Sequence, residues 1–441
     1  MKYIRKITAI ILLIIITFYF TSIYAASDEI STYSPICLLM ESKTGKVIYE
    51  KNGYEKAYPA STTKIMTAIL ALENCNLTDI ATASYEALYT VPVGYSNANI
   101  QLGEELTINQ LLHVLLIHSA NEAANILAEH IAGSIDSFAT MMNSKATELG
   151  CLNTHFVNAN GIQNENHYST AYDLALIGRY AMQNETFREI VSTTIYTLPA
   201  TNKYPTNDRV FANTNELIKK NNSDKVGNYY YQYATGAKTG YTDTAKNCIV
   251  ATAKKDDVEY IVVILGAENT ENGLSARYLD CKVLFEYAFE NYTVKTLNQA
   301  GSILKTTKIS NGNNSTKNLK VVVQDEISAV IKSDCNISNI TPTVEIRTDL
   351  EAPISSNTVI GKITYNIDGT EYTSNLLAGS DVIESNTFNT ILIIVSIIIV
   401  LYLLVKLLGS NDKKKKKRKK SKIRKKNNSK KTSRRDNYLY W

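Results

Sequence analysis

The stretch GAKTGYTDTAKNCIVATAKK, residues 236–255, contains the tripeptide Lys238-Thr239-Gly240, and the same tripeptide occurs earlier as Lys43-Thr44-Gly45. Apolar segments with turn residues around them follow the later copy, so we expect Lys238 to come just before a strand. The earlier copy lies between PICLLMES and KVIYEKN, which read as two strands. Because glycine is a favoured turn residue, Lys43-Thr44-Gly45 is predicted to be a hairpin turn.

Between these two strand regions the apolar residues recur with helical spacing. STTKIMTAILALE, the segment from TINQLLHVLLIHSANEAANILAEHIAG to DLALIGRYAM, and the later ARYLDCKVLFEYAFEN all show this pattern. The order is two strands, many helices, then strands and a helix. It predicts an α+β domain over residues 27–292, in which strands from both ends of the segment form an antiparallel sheet with helices packed on it.

Residues 293–385 have a different composition. NLKVVVQDEISAVI, TPTVEIRTDL and VIGKITYNIDGTEYTSNLLA alternate apolar and polar residues, and Asp368-Gly369 is a turn signal. The pattern predicts a small all-β domain, a sandwich or a barrel.

The two ends of the chain indicate export and anchoring. MKYIRK, an apolar run and small residues near Ala25 predict a secretory signal peptide over residues 1–26, with an uncleaved signal anchor as the alternative. Phe388–Leu408 is apolar and long enough to span a bilayer as a helix. We therefore expect a single-pass protein of the cell membrane once the signal peptide is removed.

A basic tail follows the apolar segment. Asn411–Trp441 contains 16 Lys or Arg and 2 Asp, and a block of like charges is not expected to fold. Its position beside a spanning helix indicates the cytoplasmic side, with residues 27–385 on the outer face. It also favours contact with anionic lipid headgroups over a role in binding nucleic acid.

The part of the chain between the two apolar segments is acidic, although the whole chain has a net charge of +5. Its six cysteines are widely spaced, without a C-x-x-C pair, and are predicted to be mostly unpaired, buried thiols. Neither the cysteines nor the five histidines have the spacing of metal ligands. We therefore predict no metal and no cofactor.

Three short motifs occur in order: Ser61-Thr62-Thr63-Lys64, Ser119-Ala120-Asn121 and Lys238-Thr239-Gly240. A serine hydroxyl is a weak nucleophile and needs an adjacent base, and residues three apart on a helix share a face. Ser61 and Lys64 can therefore meet as nucleophile and base if the lysine pKa is lowered by burial and nearby cations. An isolated S-x-x-K is more often a helix cap followed by an exposed lysine, so the other motifs have to support the reading.

The other two motifs supply complementary chemistry. A hydroxyl at Ser119 can relay a proton to a leaving amine, although simple helix capping is the alternative. Asn121 offers a carbonyl to Lys64 and an amide to a substrate. Lys238 and Thr239 can hold a terminal carboxylate, Gly240 allows close approach of a substrate, and the backbone N–H groups of Ser61 and Tyr241 are natural oxyanion donors.

This set of motifs resembles that of penicillin-binding proteins and serine β-lactamases. AYPASTTKIMTAILALE, HSANEAANILAEHIAGS, MNSKATELG, THFVNANGI, HYSTAYDLALIGRYAM and GAKTGYTDTAKNCIVATAKK narrow the resemblance. They look like the low-molecular-mass D-alanyl-D-alanine carboxypeptidases of the penicillin-binding protein 5 type, from about residue 33 to 292. The following β-rich segment resembles the second domain of that family.

The resemblance implies a serine β-lactamase/DD-peptidase-like fold and removal of the terminal D-alanine from peptidoglycan stem pentapeptides. Ser61 would be acylated, with Lys64, Ser119 and Asn121 in the proton network. Lys238, Thr239 and Arg277, the last in SARYLD, would recognise the D-alanine carboxylate, and β-lactams would acylate Ser61. A role in cell-wall maturation and cell shape would follow.

Some features depart from the family pattern and leave alternatives open. Glu122 stands where Asp is frequent, Ala159 where Pro is common, and Tyr241 where other side chains occur. A spanning helix replaces the amphipathic anchor that is frequent in the family. A β-lactamase, a D,D-endopeptidase or transpeptidase, and a non-catalytic β-lactam sensor remain alternative functions on sequence alone.

Overall fold

The computed structural model describes residues 30–220, 228–385 and 387–432. The predicted signal peptide lies outside the described residues. The described chain divides into two compact units, the first formed by residues 30–220, 228–295 and 328–337 and the second by residues 296–327, 338–385 and 387–432.

The first unit is built on a five-stranded antiparallel sheet in the order β2-β1-β9-β8-β7. Its strands come from both ends of the unit, as the sequence pattern predicts, and β7 lies at one edge. The strands are β1 (Ile36–Glu41), β2 (Val47–Lys51), β7 (Ala234–Thr242), β8 (Lys246–Lys255) and β9 (Val258–Ala267). Two small antiparallel pairs accompany the sheet: β3 (Ile80–Thr82) with β4 (Glu105–Thr107), and β5 (Ile195–Leu198) with β6 (Arg209–Ala212).

Within the described residues of this unit, eight helices separate these strands or follow them. They are α1 (Lys64–Asn74), α2 (Tyr85–Tyr89), α3 (Ile108–Ile117), α4 (Asn121–Ala132), α5 (Ile135–Glu148), α6 (Ala171–Ala181), α7 (Glu185–Ser192) and α8 (Ala276–Asn291). A short 3₁₀ helix, Ala60–Thr63, leads into α1, and a second one spans Glu216–Ile218. The Thr107 hydroxyl starts α3 with a capping box to Gln110, and Gly133 ends α4 in the left-handed conformation.

The sheet has a hydrophobic core on each face. Alternate residues of β1 divide between them: Leu38 and Met40 pack with helices α1, α3 and α4, whereas Cys37 and Leu39 pack with α8. This division follows from the two-residue period of a strand. Burial on both faces fixes the position of β7, which carries the second Lys-Thr-Gly tripeptide.

The position of that tripeptide differs from the sequence-based expectation. Lys238-Thr239-Gly240 lies inside β7 and pairs with Val250, Ile249 and Cys248 of β8, rather than preceding a strand. The sequence argument missed β7 because its two glycines and three threonines lack the alternating apolar pattern on which strand assignment depends. The earlier tripeptide does form the turn between β1 and β2, as predicted.

The second unit contains a five-stranded antiparallel sheet in the order β11-β12-β16-β15-β14. Its strands are β11 (Ile303–Lys308), β12 (Asn318–Val323), β14 (Thr343–Ile346), β15 (Val359–Ile367) and β16 (Thr370–Ala378). The predicted Asp368-Gly369 turn joins the last two, with both residues at positive φ. Strands β10 (Tyr292–Asn298) and β13 (Ile327–Lys332), most of whose residues belong to the first unit, form a separate pair.

A long helix, α9 (Thr387–Thr432), ends the described chain. Residues Thr390–Leu408 are apolar and exposed, and theirs is the one described helical segment long and apolar enough to cross a membrane. The helix continues through most of the basic tail, for which no folded structure was expected. Lysine and arginine have high helix propensity, so they can extend a helix that the apolar segment has already nucleated.

Candidate active site

The three motifs meet at a cleft of about 510 Å³ beside the edge strand β7. The cleft is lined by Ser61, Val93, Gly94, Tyr95, Ser96, Ser119, Thr214, Thr239, Gly240, Tyr241, Thr242, Asp243 and Arg277. Six of the nine residues predicted for the site are therefore in its wall. The other three, Lys64, Asn121 and Lys238, are buried behind it.

Lys64 is fully buried and stands at the centre of the polar contacts around Ser61. Its Nζ lies 2.8 Å from Ser61 Oγ, 2.8 Å from Asn121 Oδ1 and 2.6 Å from the carbonyl oxygen of Asn160. The three contacts match the three donors of an ammonium group. When the amine is neutral, its lone pair can instead accept the Ser61 hydroxyl proton. This geometry allows the serine to act as a nucleophile and the lysine as its base.

The surroundings of Lys64 favour its neutral form. Burial lowers the pKa of Lys64 well below its usual value, and the nearby positive charge of Lys238 lowers it further. The carboxylate of Glu122 acts in the opposite direction. A neutral amine is what a general base near neutral pH requires, so the environment of Lys64 provides the condition set out from the sequence.

Lys238 is also buried, and its Nζ donates to the carbonyl oxygen of Thr239 at 2.8 Å. Burial, and then the positive charge of Arg277, lower the pKa of Lys238 to about 7. The Thr239 hydroxyl lies 2.6 Å from the hydroxyl of Thr214. This end of the cleft presents hydroxyls and cationic groups, which suit a carboxylate.

Arg277 lies at the same end of the cleft. Its Nη1 donates to the carbonyl oxygens of Gly240, at 3.1 Å, and Cys248, at 3.4 Å. Its Nε is buried and has no hydrogen-bond partner among the described residues. The guanidinium is therefore held by the sheet at this end of the cleft.

Gly240 brings β7 against the 3₁₀ helix that carries Ser61. A Cβ atom at this position would lie 2.9 Å from the backbone nitrogen of Ser61 and 3.1 Å from the carbonyl oxygen of Pro59. Real Cβ atoms do not approach backbone atoms this closely, so only glycine fits without displacement. The close approach places the backbone of Gly240 and Tyr241 next to Ser61, as two oxyanion donors require.

Strained backbone surrounds Ser61. Ala60, just before Ser61, has φ of 47°, and Ser119 has φ of 67°, both in the left-handed region that residues with a Cβ rarely adopt. Ser119 lies between α3 and α4, where Ala120, not Ser119, is the N-cap of α4. The capping alternative for Ser119 is therefore wrong, and the serine is instead part of the cleft wall.

Asn121 has one predicted contact and one that was not predicted. Its side-chain carbonyl accepts from Lys64, as expected, while its amide donates to the carbonyl oxygen of Ser96 at 2.8 Å. The backbone nitrogen of Asn121 donates to the same oxygen at 3.0 Å. These bonds hold the segment around Ser96 against the cleft.

Sequence reasoning missed a set of buried asparagines behind Lys64. Asn160 Nδ2 donates to Asn125 Oδ1 at 3.0 Å, and the amide of Asn125 donates to the carbonyl oxygen of Ala87 and the hydroxyl of Thr90, each at 3.1 Å. The stretch THFVNANGI contains Asn160, but its contact with Lys64 is through a backbone carbonyl. No side-chain pattern signals such a contact.

The loop that contains Asn160 also approaches Ala60, the residue before Ser61. Gly161 has φ of 84°, and a Cβ there would lie 1.9 Å from the carbonyl oxygen of Ala60.

The sequence analysis missed Thr214, which faces Thr239, because it lies in a loop without a motif. No group of three or more His, Cys, Asp or Glu side chains able to hold a metal ion occurs among the described residues.

Comparisons with known proteins agree with this arrangement. Residues 23–269 match the family model described as D-alanyl-D-alanine carboxypeptidase, and residues 292–384 match the penicillin-binding protein 5 C-terminal domain. The chain belongs to the D-alanyl-D-alanine carboxypeptidase family. The family, the fold class and the enzyme class, a serine peptidase, predicted from the sequence are thereby confirmed.

Individual members of the family and solved structures show how far the similarity extends. D-alanyl-D-alanine carboxypeptidase DacF of Bacillus subtilis is 29% identical over 400 residues, which cover 88% of this chain and 97% of that protein. The crystal structure of penicillin-binding protein 5 from Haemophilus influenzae aligns with a TM-score of 0.67 and 25% identity, covering 80% and 98% of the two chains. The Streptomyces K15 DD-transpeptidase is 33% identical over 59% of this chain and 98% of its own, with a TM-score of 0.52.

Proposed function

We propose that this family member removes the terminal D-alanine from peptidoglycan stem pentapeptides through an acyl-enzyme on Ser61. The observation that supports this most directly is the 2.8 Å separation between Ser61 Oγ and the Nζ of the buried Lys64. A role in cell-wall maturation and cell shape goes with this activity.

Substrate binding uses the free edge of β7. Because β8 occupies the other edge of that strand, an extended peptide can add along the cleft by main-chain hydrogen bonds. The terminal carboxylate lies at the end formed by Thr239 and Arg277, with Lys238 behind it. The scissile carbonyl then lies between Ser61 and Tyr241, whose backbone N–H groups receive its oxygen.

In the acylation step Lys64 takes the Ser61 proton as the serine oxygen forms a bond to the scissile carbonyl carbon. The carbon–nitrogen bond then breaks, and the leaving D-alanine nitrogen receives a proton through Ser119. Asn121 keeps Lys64 in place during both transfers. Water attacks the resulting ester, which regenerates Ser61 and releases the shortened stem peptide.

β-Lactams are inhibitors in this proposal because their ring amide takes the position of the scissile bond and acylates Ser61. The ring opens without losing its amine as a separate product, so the departing group remains in the cleft.

The role of Lys64 as base leads to a separate prediction. Lys64→Ala should abolish labelling of Ser61 by penicillin at neutral pH, and near-normal labelling would remove Lys64 from the role of base.

The test of the activity uses the full chain in detergent with a stem pentapeptide ending in D-Ala-D-Ala. Release of free D-alanine by wild-type protein, absent in Ser61→Ala, is the expected result. Penicillin labelling of Ser61 without D-alanine release would contradict the carboxypeptidase proposal and favour the sensor or endopeptidase alternative. Transfer of the peptide to an added amine, without hydrolysis, would favour a transpeptidase.

We also propose that the described helix Thr390–Leu408 anchors the protein in the cell membrane, with the active site on the outer face. The basic residues that follow the span, such as Lys415 and Lys416, are exposed and suit anionic lipid headgroups on the cytoplasmic side. The exposed thiol of Cys335 provides a test. A membrane-impermeant maleimide should label Cys335 in intact cells, whereas a cysteine placed at Ser421 in a Cys335→Ser background should react only after permeabilisation.

A further inference from the structure

A neutral Lys64 amine can act as a base only when its single lone pair points at Ser61. The amine then carries two hydrogens, and both need acceptors elsewhere. Two oxygens are within hydrogen-bond distance: Asn121 Oδ1, at 2.8 Å, and the carbonyl oxygen of Asn160, at 2.6 Å. When the two hydrogens are bound there, the lone pair faces Ser61 Oγ. The direction of the Asn160 carbonyl therefore affects the proton transfer.

The side chain of Asn160 holds this carbonyl in place. Asn160 Oδ1 accepts from the backbone nitrogen of Ile162 at 2.9 Å, and Asn160 Nδ2 donates to Asn125 Oδ1 at 3.0 Å. Asn160 is 3% exposed and Asn125 is 2% exposed, so neither amide can readily exchange these bonds for bonds to water. Asn125, on helix α4, thus anchors the residue whose carbonyl meets Lys64.

Backbone groups fix the orientation of both amides. The carbonyl of Ala87 can only accept, so the Asn125 amide turns its Nδ2 toward it, at 3.1 Å, and its Oδ1 toward Asn160. The N–H of Ile162 can only donate, so Asn160 turns its Oδ1 toward it and its Nδ2 toward Asn125. The second hydrogen of Asn125 Nδ2 goes to the hydroxyl of Thr90. Neither amide can flip without setting two donors or two acceptors against each other.

We propose that Asn125 is a positioning residue that, through Asn160, keeps the lone pair of Lys64 directed at Ser61. Asn125 is not among the described residues that line the cleft, so it acts through its bond to Asn160 and not on the substrate. Loss of that bond lets the Asn160 carbonyl turn, and the amine then rotates away from Ser61. This inference rests on the proposed function, in which Lys64 is the base.

The experiment measures the first-order rate constant of Ser61 acylation at saturating penicillin, with the full chain in detergent at neutral pH. This constant describes folded molecules only, so partial loss of folded protein does not change it. Asn125→Ala and Asn160→Ala should each lower it by about 10- to 100-fold, the effect of a misplaced catalytic group. The double variant should fall no further than the slower single variant, because both changes break the same bond. Losses that multiply in the double variant would overturn the proposal.

The pH dependence of the same rate constant separates orientation of Lys64 from general loosening. A carbonyl that accepts from the ammonium form favours that form, so its loss lowers the pKa of Lys64. The titratable groups that face Lys64 are Lys238 of β7, Glu122 of α4 and His167, and the Asn125→Ala variant retains all three. The rise in rate on the acid side should therefore move to lower pH by about one unit. A slower variant with an unmoved profile would overturn the positioning role.

The matched control is Asn143→Ala, on α5. Asn143 also holds the segment between α5 and α6, because its Nδ2 donates to the carbonyl oxygen of Phe156 and its Oδ1 accepts from the Phe156 nitrogen, each at 2.8 Å. This variant loses a comparable amide but leaves the Asn125–Asn160 bond intact, so it should keep the wild-type rate constant and pH profile. An equal fall in Asn143→Ala would overturn the assignment of Asn125.

Two further results have distinct meanings. If Asn125→Ala does not fold, Asn160→Ala provides the same rate and pH tests, because it breaks the same bond from the other side. If penicillin does not label Ser61 in the wild-type protein, the proposed function itself fails.

Discussion

The two Lys-Thr-Gly tripeptides are identical in sequence and differ in almost everything else. The first, Lys43-Thr44-Gly45, turns the chain between β1 and β2 and is organised by the carboxylate of Glu41. That carboxylate accepts from the backbone nitrogens of Lys43, at 2.9 Å, and Thr44, at 2.7 Å, and from the Thr44 hydroxyl at 2.6 Å. All these bonds serve the turn.

In the second tripeptide Thr239 and Gly240 line a cleft, and Lys238 is buried behind them. The Thr239 hydroxyl meets Thr214, and Gly240 lies against Ser61. The difference shows that the chemistry is not in the tripeptide itself. What differs is the setting: β7 has a free edge, and a 3₁₀ helix brings Ser61 to that strand.

The glycines give the largest expected difference between the two tripeptides. Gly240→Ala places a Cβ 2.9 Å from the Ser61 nitrogen and should displace the oxyanion donors, with a loss of about 100-fold or more in kcat/KM for D-alanine release. Gly45→Ala meets only the flexible end of Arg179, at 3.0 Å, but has φ of 77°.

We therefore expect Gly45→Ala to lower the free energy of unfolding by about 1–2 kcal/mol and to leave kcat/KM unchanged. Thermal unfolding and penicillin labelling of both variants separate the two effects. A Gly240→Ala protein that is labelled at the wild-type rate would show that Ser61 tolerates the added methyl group.

The lysines give the next largest difference. Lys238→Ala removes a cation from the carboxylate end of the cleft, and a charged hydrogen bond of about 1.5–3 kcal/mol corresponds to a loss of roughly 10- to 150-fold in kcat/KM. Lys43→Ala, at an exposed turn position, should keep wild-type kinetics. Steady-state kinetics on the D-Ala-D-Ala pentapeptide measure both, and equal activity of the two variants would refute the distinction.

The threonines give a smaller difference. Thr239→Val removes one neutral hydroxyl contact to the substrate carboxylate and should lower kcat/KM by about tenfold, mostly through KM. Thr44→Val removes the hydroxyl that donates to Glu41, so it should change stability and not kinetics. A Thr44→Val variant with a raised KM would contradict the view that the first tripeptide is purely structural.

The sequence predicted the fold well where patterns are regular. Strands from both ends of the first unit, the helices between them and the all-β second unit all follow from periodicity. Strand β7 was missed because Gly236 and Gly240 replace the expected apolar residues, and close approach to Ser61 imposes one of these glycines. The functional constraint therefore removed the local signal for the strand.

The site could be predicted where side chains carry the contacts and not where the backbone does. Ser61, Lys64 and Asn121 lie in recognisable motifs, and their contacts agree with their residue types. The carbonyl of Asn160 and the left-handed conformation of Ala60 have no such signal. Both depend on how distant loops pack, which one sequence does not specify.

The smallest expected effect is a pH dependence that belongs to the second tripeptide. Burial and Arg277 place the pKa of Lys238 at about 7, and the cationic form is the one that binds a carboxylate. As pH rises through this value the cation is lost, so kcat/KM should fall by about threefold between pH 6.5 and 7.5 from this group. Lys64 must lose its proton to act as base, so it determines the rise in kcat/KM on the acid side of the pH profile. The variant Lys238→Arg keeps a positive charge at position 238 across this pH range. The residual activity of that variant should therefore lack the fall near pH 7, and a fall that persists in Lys238→Arg would assign it to another group.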